Sequence, residues 1–145
     1  LNALGAVLMD RQNEIFQQWF ENHLGSSDPQ ELMDNIEELL RMTYDVTREQ
    51  TGGLEIIQSL RAVGPLQDLR LTSHRLVAEQ FANILSDLLG RPVNEDMRLQ
   101  ARVSVDTGYA MVEMALEDDT LAPDVALRQG AGILQAYWAS VLGKD

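Results

Sequence analysis

The chain contains no cysteine and two histidines, His23 and His74. The absence of cysteine excludes a disulfide framework, a thiolate metal site and a cysteine nucleophile. Two histidines are too few for a histidine-based zinc centre unless carboxylates assist, and these two do not have the spacing of a helical ligand pair. The sequence therefore predicts that the protein holds no metal and no other cofactor.

Long apolar runs are missing as well. No run approaches the roughly 18 residues that a membrane-spanning helix needs. No segment has the basic start and the small-residue exit of a signal peptide. Together with the lack of cysteine, these absences predict a cytoplasmic protein that has no membrane partner.

Basic residues are scarce, since 11 Lys and Arg stand against 23 Asp and Glu and the net charge is −12. A nucleic-acid backbone would be repelled over most of such a surface, so we expect no direct contact of this chain with DNA. The chain nevertheless begins at Leu1, without a methionine, inside a helical pattern of apolar residues. We therefore expect a further N-terminal module. If that module is basic, the rest of the protein would be acidic, as this chain is.

Strand patterns are also absent, because no segment alternates apolar and polar residues and β-branched residues are sparse. The 145 residues suffice for one domain with a sizeable core, and no linker or repeat divides them. The clearest helix start is Asp28, followed by Pro29 and by Glu31 as its capping-box partner. The sequence predicts a single all-α domain over residues 1–145, an antiparallel bundle of about six helices near 1–23, 29–51, 54–63, 67–89, 94–117 and 123–143.

Signals of catalysis are weak. No serine lies in a strand-turn-helix elbow, since no strand is predicted. Gly130 and Gly132 fall inside a predicted helix, where small residues permit close packing more often than they cradle phosphate. The acidic group Glu117, Asp118 and Asp119 marks a helix end, and a solvated turn explains it better than a magnesium site. We predict no catalytic residue and no enzyme activity.

A small-molecule pocket is the remaining candidate site, and it would lie between the first, second and fourth predicted helices. Inner positions there combine bulky aromatic side chains with soft or polar ones, which is how ligand cavities are usually lined. A filled core with a few satisfied polar atoms is the alternative. The candidate effector-pocket residues are Phe16, Trp19, Phe20, Met42, Thr43, Tyr44, His74, Phe81 and Met111.

Two polar residues in apolar helices each allow two interpretations. Asp106 lies among valines and alanines, where a carboxylate is either at the surface or buried at a cost unless it is paired. Arg102 lies one helical turn away and could pair with it. His74 could hydrogen-bond a ligand or be satisfied within the core.

The last two predicted helices are apolar nearly all round, so they must be buried on nearly all sides. A second copy of the chain is the expected cover, and two such hairpins related by twofold symmetry would build a four-helix interface. We expect a tryptophan at Gly130 to split that dimer by overpacking. A monomeric bundle closed by the same helices is the alternative. The predicted interface residues are Val105, Tyr109, Val112, Ala126, Gly130, Ile133, Leu134 and Tyr137.

The order of the helices and the Gly and Pro residues that separate them resemble those of the C-terminal regulatory domain of a TetR-family transcriptional repressor. The resemblance covers essentially the whole chain. It rests on a long first helix (LNALGAVLMDRQNEIFQQWFENHL), a second helix opened by Asp-Pro (SSDPQELMDNIEELLRMTYDV), a short third helix and the closing pair MVEMALEDDTLAPDVALRQGAGILQAYWASVLG.

This resemblance implies a bacterial regulatory domain that dimerises through its last two helices and takes a small, mostly apolar effector into each subunit. The N-terminal module, which this chain lacks, would be a basic helix-turn-helix domain that holds operator DNA and is joined through the first helix. Effector binding would shift that helix and release the DNA, because the effector prefers the state that binds DNA poorly. The chain would meet DNA only through that module.

Two other classes of function stay open from the sequence. A stand-alone helical sensor of the stressosome or globin-like kind would pass its signal from an N-terminal helix to a protein partner. An all-helical enzyme is the third interpretation. A basic helix-turn-helix segment before Leu1 would favour the repressor, and a native start methionine there would favour the sensor.

Overall fold

Within residues 2–143, seven helices joined by short turns account for most of the chain. The structure, a computed structural model, describes residues 2–143 apart from the side chain of Asn2, and the predicted helix start at Leu1 lies outside them. Residues 2–143 contain no strand, which confirms the all-α class for that range. None of these helices combines the length and the apolar character that crossing a membrane requires. The helices are α1 (Asn2–Asn22), α2 (Pro29–Met33), α3 (Ile36–Glu49), α4 (Gly53–Ala62), α5 (Gly64–Leu89), α6 (Glu95–Glu117) and α7 (Pro123–Val141).

The structure has one helix more than expected because the second predicted helix is broken. The break lies at Asp34 and Asn35, between α2 and α3. Asp and Asn side chains compete with the backbone for hydrogen bonds and therefore disfavour helix interiors. The Asn35 side chain donates to the carbonyl of Glu31 at 3.2 Å, and the Asn35 carbonyl accepts the indole N–H of Trp19 at 3.0 Å. The break thus ties α1 to the corner between α2 and α3.

Helix starts follow the capping signals in the sequence. Asp28 Oδ1 accepts the N–H of Glu31 at 2.9 Å, and the Glu31 carboxylate accepts the N–H of Ser27 at 3.0 Å. At the start of α6, Asn94 Oδ1 accepts the N–H of Met97 at 2.8 Å. These bonds satisfy amide groups that a first helical turn leaves without partners.

Six helices contribute to one apolar core around two tryptophans. Trp19 and Trp138 are fully buried, and each indole N–H finds an acceptor, as buried tryptophans usually do. Phe81 packs edge-on against Phe16 and Trp138, with ring centroids 6.3 and 5.7 Å away. We call this group the main core, and its larger members are Phe16, Trp19, Leu32, Met33, Tyr44, Phe81, Leu85, Leu127, Leu134 and Trp138.

A smaller core holds the first half of α1 against α4 and α5. Gly5 allows α1 to approach α4, because a Cβ at this position would lie 3.1 Å from Cδ2 of Leu60. α1 therefore extends from this minor core to the main core. The residues of the minor core are Leu8, Met9, Ile56, Ile57, Leu60 and Leu66.

The inner sides of α6 and α7 are covered by the chain's own helices. α6 packs against α3, α5 and α7, while α7 packs against α2, α3 and α6. Arg41 on α3 pairs with Asp124 at the start of α7, and Gln135 Nε2 donates to the carbonyl of Met33 at 3.2 Å. Contrary to the expectation from the sequence, a second copy is not needed to bury these inner sides.

Candidate functional site

An apolar cavity of about 50 Å³ lies in the main core between α1, α3, α5 and α6. No lining residue carries a charge, and most are aliphatic or aromatic, as in ligand pockets generally. The lining residues are Gln12, Phe16, Trp19, Met33, Ile36, Leu39, Leu40, Thr43, Val77, Phe81, Ser104, Val105, Gly108, Tyr109, Val112 and Leu134.

Phe16, Trp19, Thr43 and Phe81 are the predicted pocket residues that line this cavity. The structure does not bring the other predicted residues to it. Phe20 and Met42 lie partly buried at the edge of the main core, Tyr44 is buried within it, Met111 packs beside Gly130, and His74 belongs to a charged cluster between α5 and α6. A helix turns about 100° per residue, so the residues on either side of Thr43 point away from the cavity.

The cavity also includes residues that the sequence places at a dimer interface. Val105, Tyr109, Val112 and Leu134 line it and so point into the subunit. They do so because α3 and α5 cover this side of α6 and α7. Tyr109, Val112 and Leu134 are therefore buried within the subunit, whereas Val105 is partly buried.

Gly130 is buried within the subunit too, where its neighbour is Met111. A Cβ at this position would lie 2.7 Å from Cγ of Met111. A tryptophan at Gly130 would therefore strain the chain itself and would not test a dimer. Of the remaining interface predictions, Ala126 and Tyr137 are partly buried, whereas Ile133 is 54% exposed.

Gln12 is a lining residue that the sequence pattern does not single out. Glutamine is usually a surface residue, and its polarity hides its position on the inner side of α1. The signal that could have found it is spacing, because Gln12 lies one helical turn before Phe16.

Polar groups on the cavity wall are mostly paired within the chain. Gln12 Nε2 donates to Thr47 Oγ1 at 2.9 Å, and the Thr43 hydroxyl donates to a carbonyl one turn earlier in α3. The Ser104 hydroxyl accepts the indole N–H of Trp138 at 2.9 Å and donates to a carbonyl one turn earlier in α6. These bonds fix the wall and leave few polar atoms for a guest.

Two lining residues keep a polar atom without a protein partner. Gln12 is 3% exposed and Tyr109 is 8% exposed. Within residues 2–143, neither Gln12 Oε1 nor the Tyr109 hydroxyl makes a hydrogen bond to another protein group. Since neither atom has a protein partner, these two atoms are the candidates to bind a polar group of a guest.

A charged cluster lies beside Tyr109, between α5 and α6. The His74 ring stacks on the Tyr109 ring, with centroids 4.4 Å apart and planes 5° from parallel. His74 Nδ1 lies 3.2 Å from Asp106 Oδ1, and Arg102 Nε donates to Asp106 Oδ2 at 3.0 Å. The predicted pair of Arg102 and Asp106 is confirmed, and His74 pairs with a carboxylate instead of lining the cavity.

Burial affects the pKa values of His74, Tyr109 and Glu113 more than the neighbouring charges do. It lowers the pKa of His74 to about 4, because the attraction of Asp106 offsets only part of the cost of burying a charged ring. Burial also raises the pKa of Tyr109. The pKa of Glu113 is raised by burial as well, although Arg61 Nε lies 3.1 Å from its carboxylate and opposes the shift. His74 and Tyr109 are therefore both uncharged at neutral pH.

The outer sides of α6 and α7 form the second feature of functional interest. Gly130 of α7 packs on Met111 of α6, and Met114 of α6 and Ile133 of α7 are exposed. Residues 129–143 contain no charged side chain. We call this surface the outer face; its exposed apolar and small residues are Leu99, Val103, Ala110, Met114, Val125, Gly132, Ile133 and Ala136.

The acidic group at the end of α6 is paired locally. Asp118 Oδ1 accepts the N–H of Thr120 at 3.0 Å in an exposed turn, and Glu117 pairs with Arg61 at 3.1 Å. The described part of the chain contains no group of three or more His, Asp or Glu residues that could hold a metal ion.

Comparison with protein-family models, with curated proteins and with solved structures finds no match to this chain. The TetR-family resemblance therefore rests on the helix pattern and stays a prediction.

Proposed function

We propose that this chain is the effector-binding and dimerising domain of a transcriptional regulator of the TetR type. The observation that carries the proposal is the cavity between α1, α3, α5 and α6. A guest in it would touch Gln12, Phe16 and Trp19, all on α1. α1 is also the helix that would lead to a DNA-binding module, so occupancy of the cavity could be transmitted to DNA.

The cavity is smaller than the pocket that an effector would need. Pockets for typical ligands measure roughly 300–1,000 Å³, whereas this cavity measures about 50 Å³. An effector must therefore enlarge it by moving side chains or helices. The effector would stabilise the enlarged form, and its effect on DNA binding would equal its difference in affinity for the two forms.

Dimerisation is proposed through the outer face. Its exposed apolar residues lie on the two helices that the TetR resemblance assigns to the dimer, and the second half of α7 lacks charge in a chain that is 23% charged. Charged residues are depleted at the centres of protein interfaces. The interface thus keeps Ile133 from the sequence prediction and replaces the inward-facing residues with Val103, Met114 and Ala136.

Sedimentation velocity tests the dimer directly. We expect the native chain to sediment as a dimer and the Ile133→Arg variant as a folded monomer, because a buried unpaired charge opposes association. Leu24→Arg is the matched control, since Leu24 is exposed but lies in the turn after α1. A native chain that stays monomeric at high micromolar concentration would contradict the proposal.

A further inference from the structure

The unpaired polar atoms of Gln12 and Tyr109 carry information about the guest. We infer that the cavity takes a small, uncharged aromatic molecule bearing one hydroxyl or a similar group that both donates and accepts a hydrogen bond. The inference rests on the proposed function, because it assumes that the cavity is the effector site. It goes further by naming the class of ligand.

The guest is uncharged because the wall offers no counter-charge. None of the lining residues is Asp, Glu, Lys or Arg, and moving an unpaired charge into such surroundings is costly. The carboxylates nearest to Tyr109 belong to Asp106 and Glu113, and they oppose negative charge at that end of the site. Cations are disfavoured by the apolar wall, and anions by both effects.

The polar group of the guest can bond to either of two atoms. The Tyr109 hydroxyl carries a proton at neutral pH and has no protein acceptor, so it can donate to the guest. Gln12 Oε1 can only accept, and one of the two N–H groups of its amide nitrogen already donates to Thr47 Oγ1. A hydroxyl group suits either atom, since it offers one donor and accepting lone pairs.

The prediction that the guest is aromatic follows from the aromatic residues that line the cavity. Phe16, Trp19 and Phe81 line the cavity, and Phe16 lies 6.2 Å from the Trp19 ring and 6.3 Å from the Phe81 ring. These tilted and edge-on pairs are the geometries that aromatic rings prefer. A further ring could join the group by the same contacts.

Space for one ring has to be created. An engineered apolar cavity of roughly 150 Å³ holds benzene, whereas the present cavity measures about 50 Å³. Met33 and Leu39 are the lining residues best placed to move, because methionine has a flexible unbranched side chain and Leu39 is only partly buried. The need to open the site lowers the observed affinity in proportion to the population of the open form.

Four single-ring probes test the ligand class: phenol, toluene, benzoate and benzylammonium. Binding to the native chain at pH 7 is measured by isothermal titration calorimetry and checked by the shift in thermal midpoint. We expect phenol to bind about fivefold more tightly than toluene, the equivalent of one net hydrogen bond. We expect no measurable binding of benzoate or benzylammonium.

Variants connect that preference to the named atoms. Tyr109→Phe and Gln12→Met should each reduce the preference for phenol over toluene. Tyr137→Phe is the matched control, because Tyr137 is a partly buried tyrosine that does not line the cavity. A preference for phenol that survives both cavity variants would overturn the assignment of the polar atoms.

Two further variants separate this inference from the proposed function. Leu39→Ala should tighten the binding of phenol by enlarging the cavity, and Val112→Ile should weaken it by filling space. Binding of benzoate in preference to phenol, sensitive to the same two variants, would overturn the ligand class but keep the cavity as the effector site. Binding of no probe to the native chain or to Leu39→Ala would count against both the inference and the sensing function.

Discussion

Tyr109 touches both the cavity and the charged cluster between α5 and α6. Its side chain lines the cavity, and its ring stacks on His74, whose Nδ1 lies 3.2 Å from Asp106. A guest that hydrogen-bonds to Tyr109 would therefore act on a residue that is already held by a neutral histidine. The ionisation of His74 matters for this reason, because a charged imidazolium could not remain buried there cheaply.

We expect His74 to make the protein less stable in acid. Burial lowers the pKa of His74 from its usual 6.5 to about 4, so below pH 6.5 the unfolded chain binds a proton that the folded chain does not. Stability from this source is complete above pH 6.5 and is lost as the pH falls toward 4. The difference between pH 7 and pH 5 should be on the order of 2 kcal/mol.

Urea unfolding at these two pH values, for the native chain and for His74→Gln, measures that difference. The glutamine variant has lost the stacked ring and should be less stable at pH 7, but its stability should fall less on acidification. All other titrating groups are common to both proteins and largely cancel. Equal losses in the two proteins would contradict the assignment.

We expect Gly53→Ala to destabilise the protein. A Cβ at Gly53 would overlap the carbonyl oxygen of Thr47, which is backbone and cannot rotate away. The strain should cost about 2 kcal/mol, as overpacking typically does, and urea unfolding measures it. Gly64→Ala is the control because a Cβ at Gly64 meets open space, and its effect should stay within about 0.5 kcal/mol. Similar losses in both variants would contradict the steric explanation.

Among the helices, α6 has the largest share of functional positions. One side carries Ser104, Tyr109 and Val112 toward the cavity, another carries Asp106 toward α5, and a third carries Met114 outward. A shift of α6 along its axis would change all three surroundings together. The groups that hold its ends are therefore important for the site as well as for stability.

The cap of α6 can be tested by a pair of substitutions. Asn94→Ala removes the acceptor for the N–H of Met97, and we expect a loss of about 1 kcal/mol in the free energy of unfolding. Asn94→Asp keeps an acceptor and adds a negative charge at the positive end of the helix, so it should lose little. Urea unfolding of the two variants measures both effects. Equal losses would show that the side-chain bond does not stabilise α6.

At the scale of the whole molecule, α1 connects the minor core, the cavity and the corner between α2 and α3. The outer face lies on α6 and α7, beyond the main core. Two copies joined at that face would place their cavities on either side of the interface. Binding of an effector and association of subunits would then be linked through the packing of α6.

A dimer that dissociates on unfolding has a stability that depends on protein concentration. We expect the thermal midpoint of the native chain to rise with concentration, because dissociation and unfolding then occur together. The midpoint of Ile133→Arg should be lower and independent of concentration, while Leu24→Arg should behave like the native chain. Differential scanning calorimetry across a wide range of concentration measures this. A native midpoint that does not change with concentration would argue against a dimer through the outer face.

The sequence by itself determined the all-α class, most helix boundaries and the cap at Asp28, because periodicity and capping act over a few neighbouring residues. It also placed Phe16, Trp19, Thr43 and Phe81 in one core. Only the tertiary structure decided which sides of α6 and α7 turn inward, and so moved Tyr109 and Leu134 from an expected interface to a cavity wall. That choice depends on α3, from a distant part of the chain, packing over both helices, a contact that no local pattern encodes.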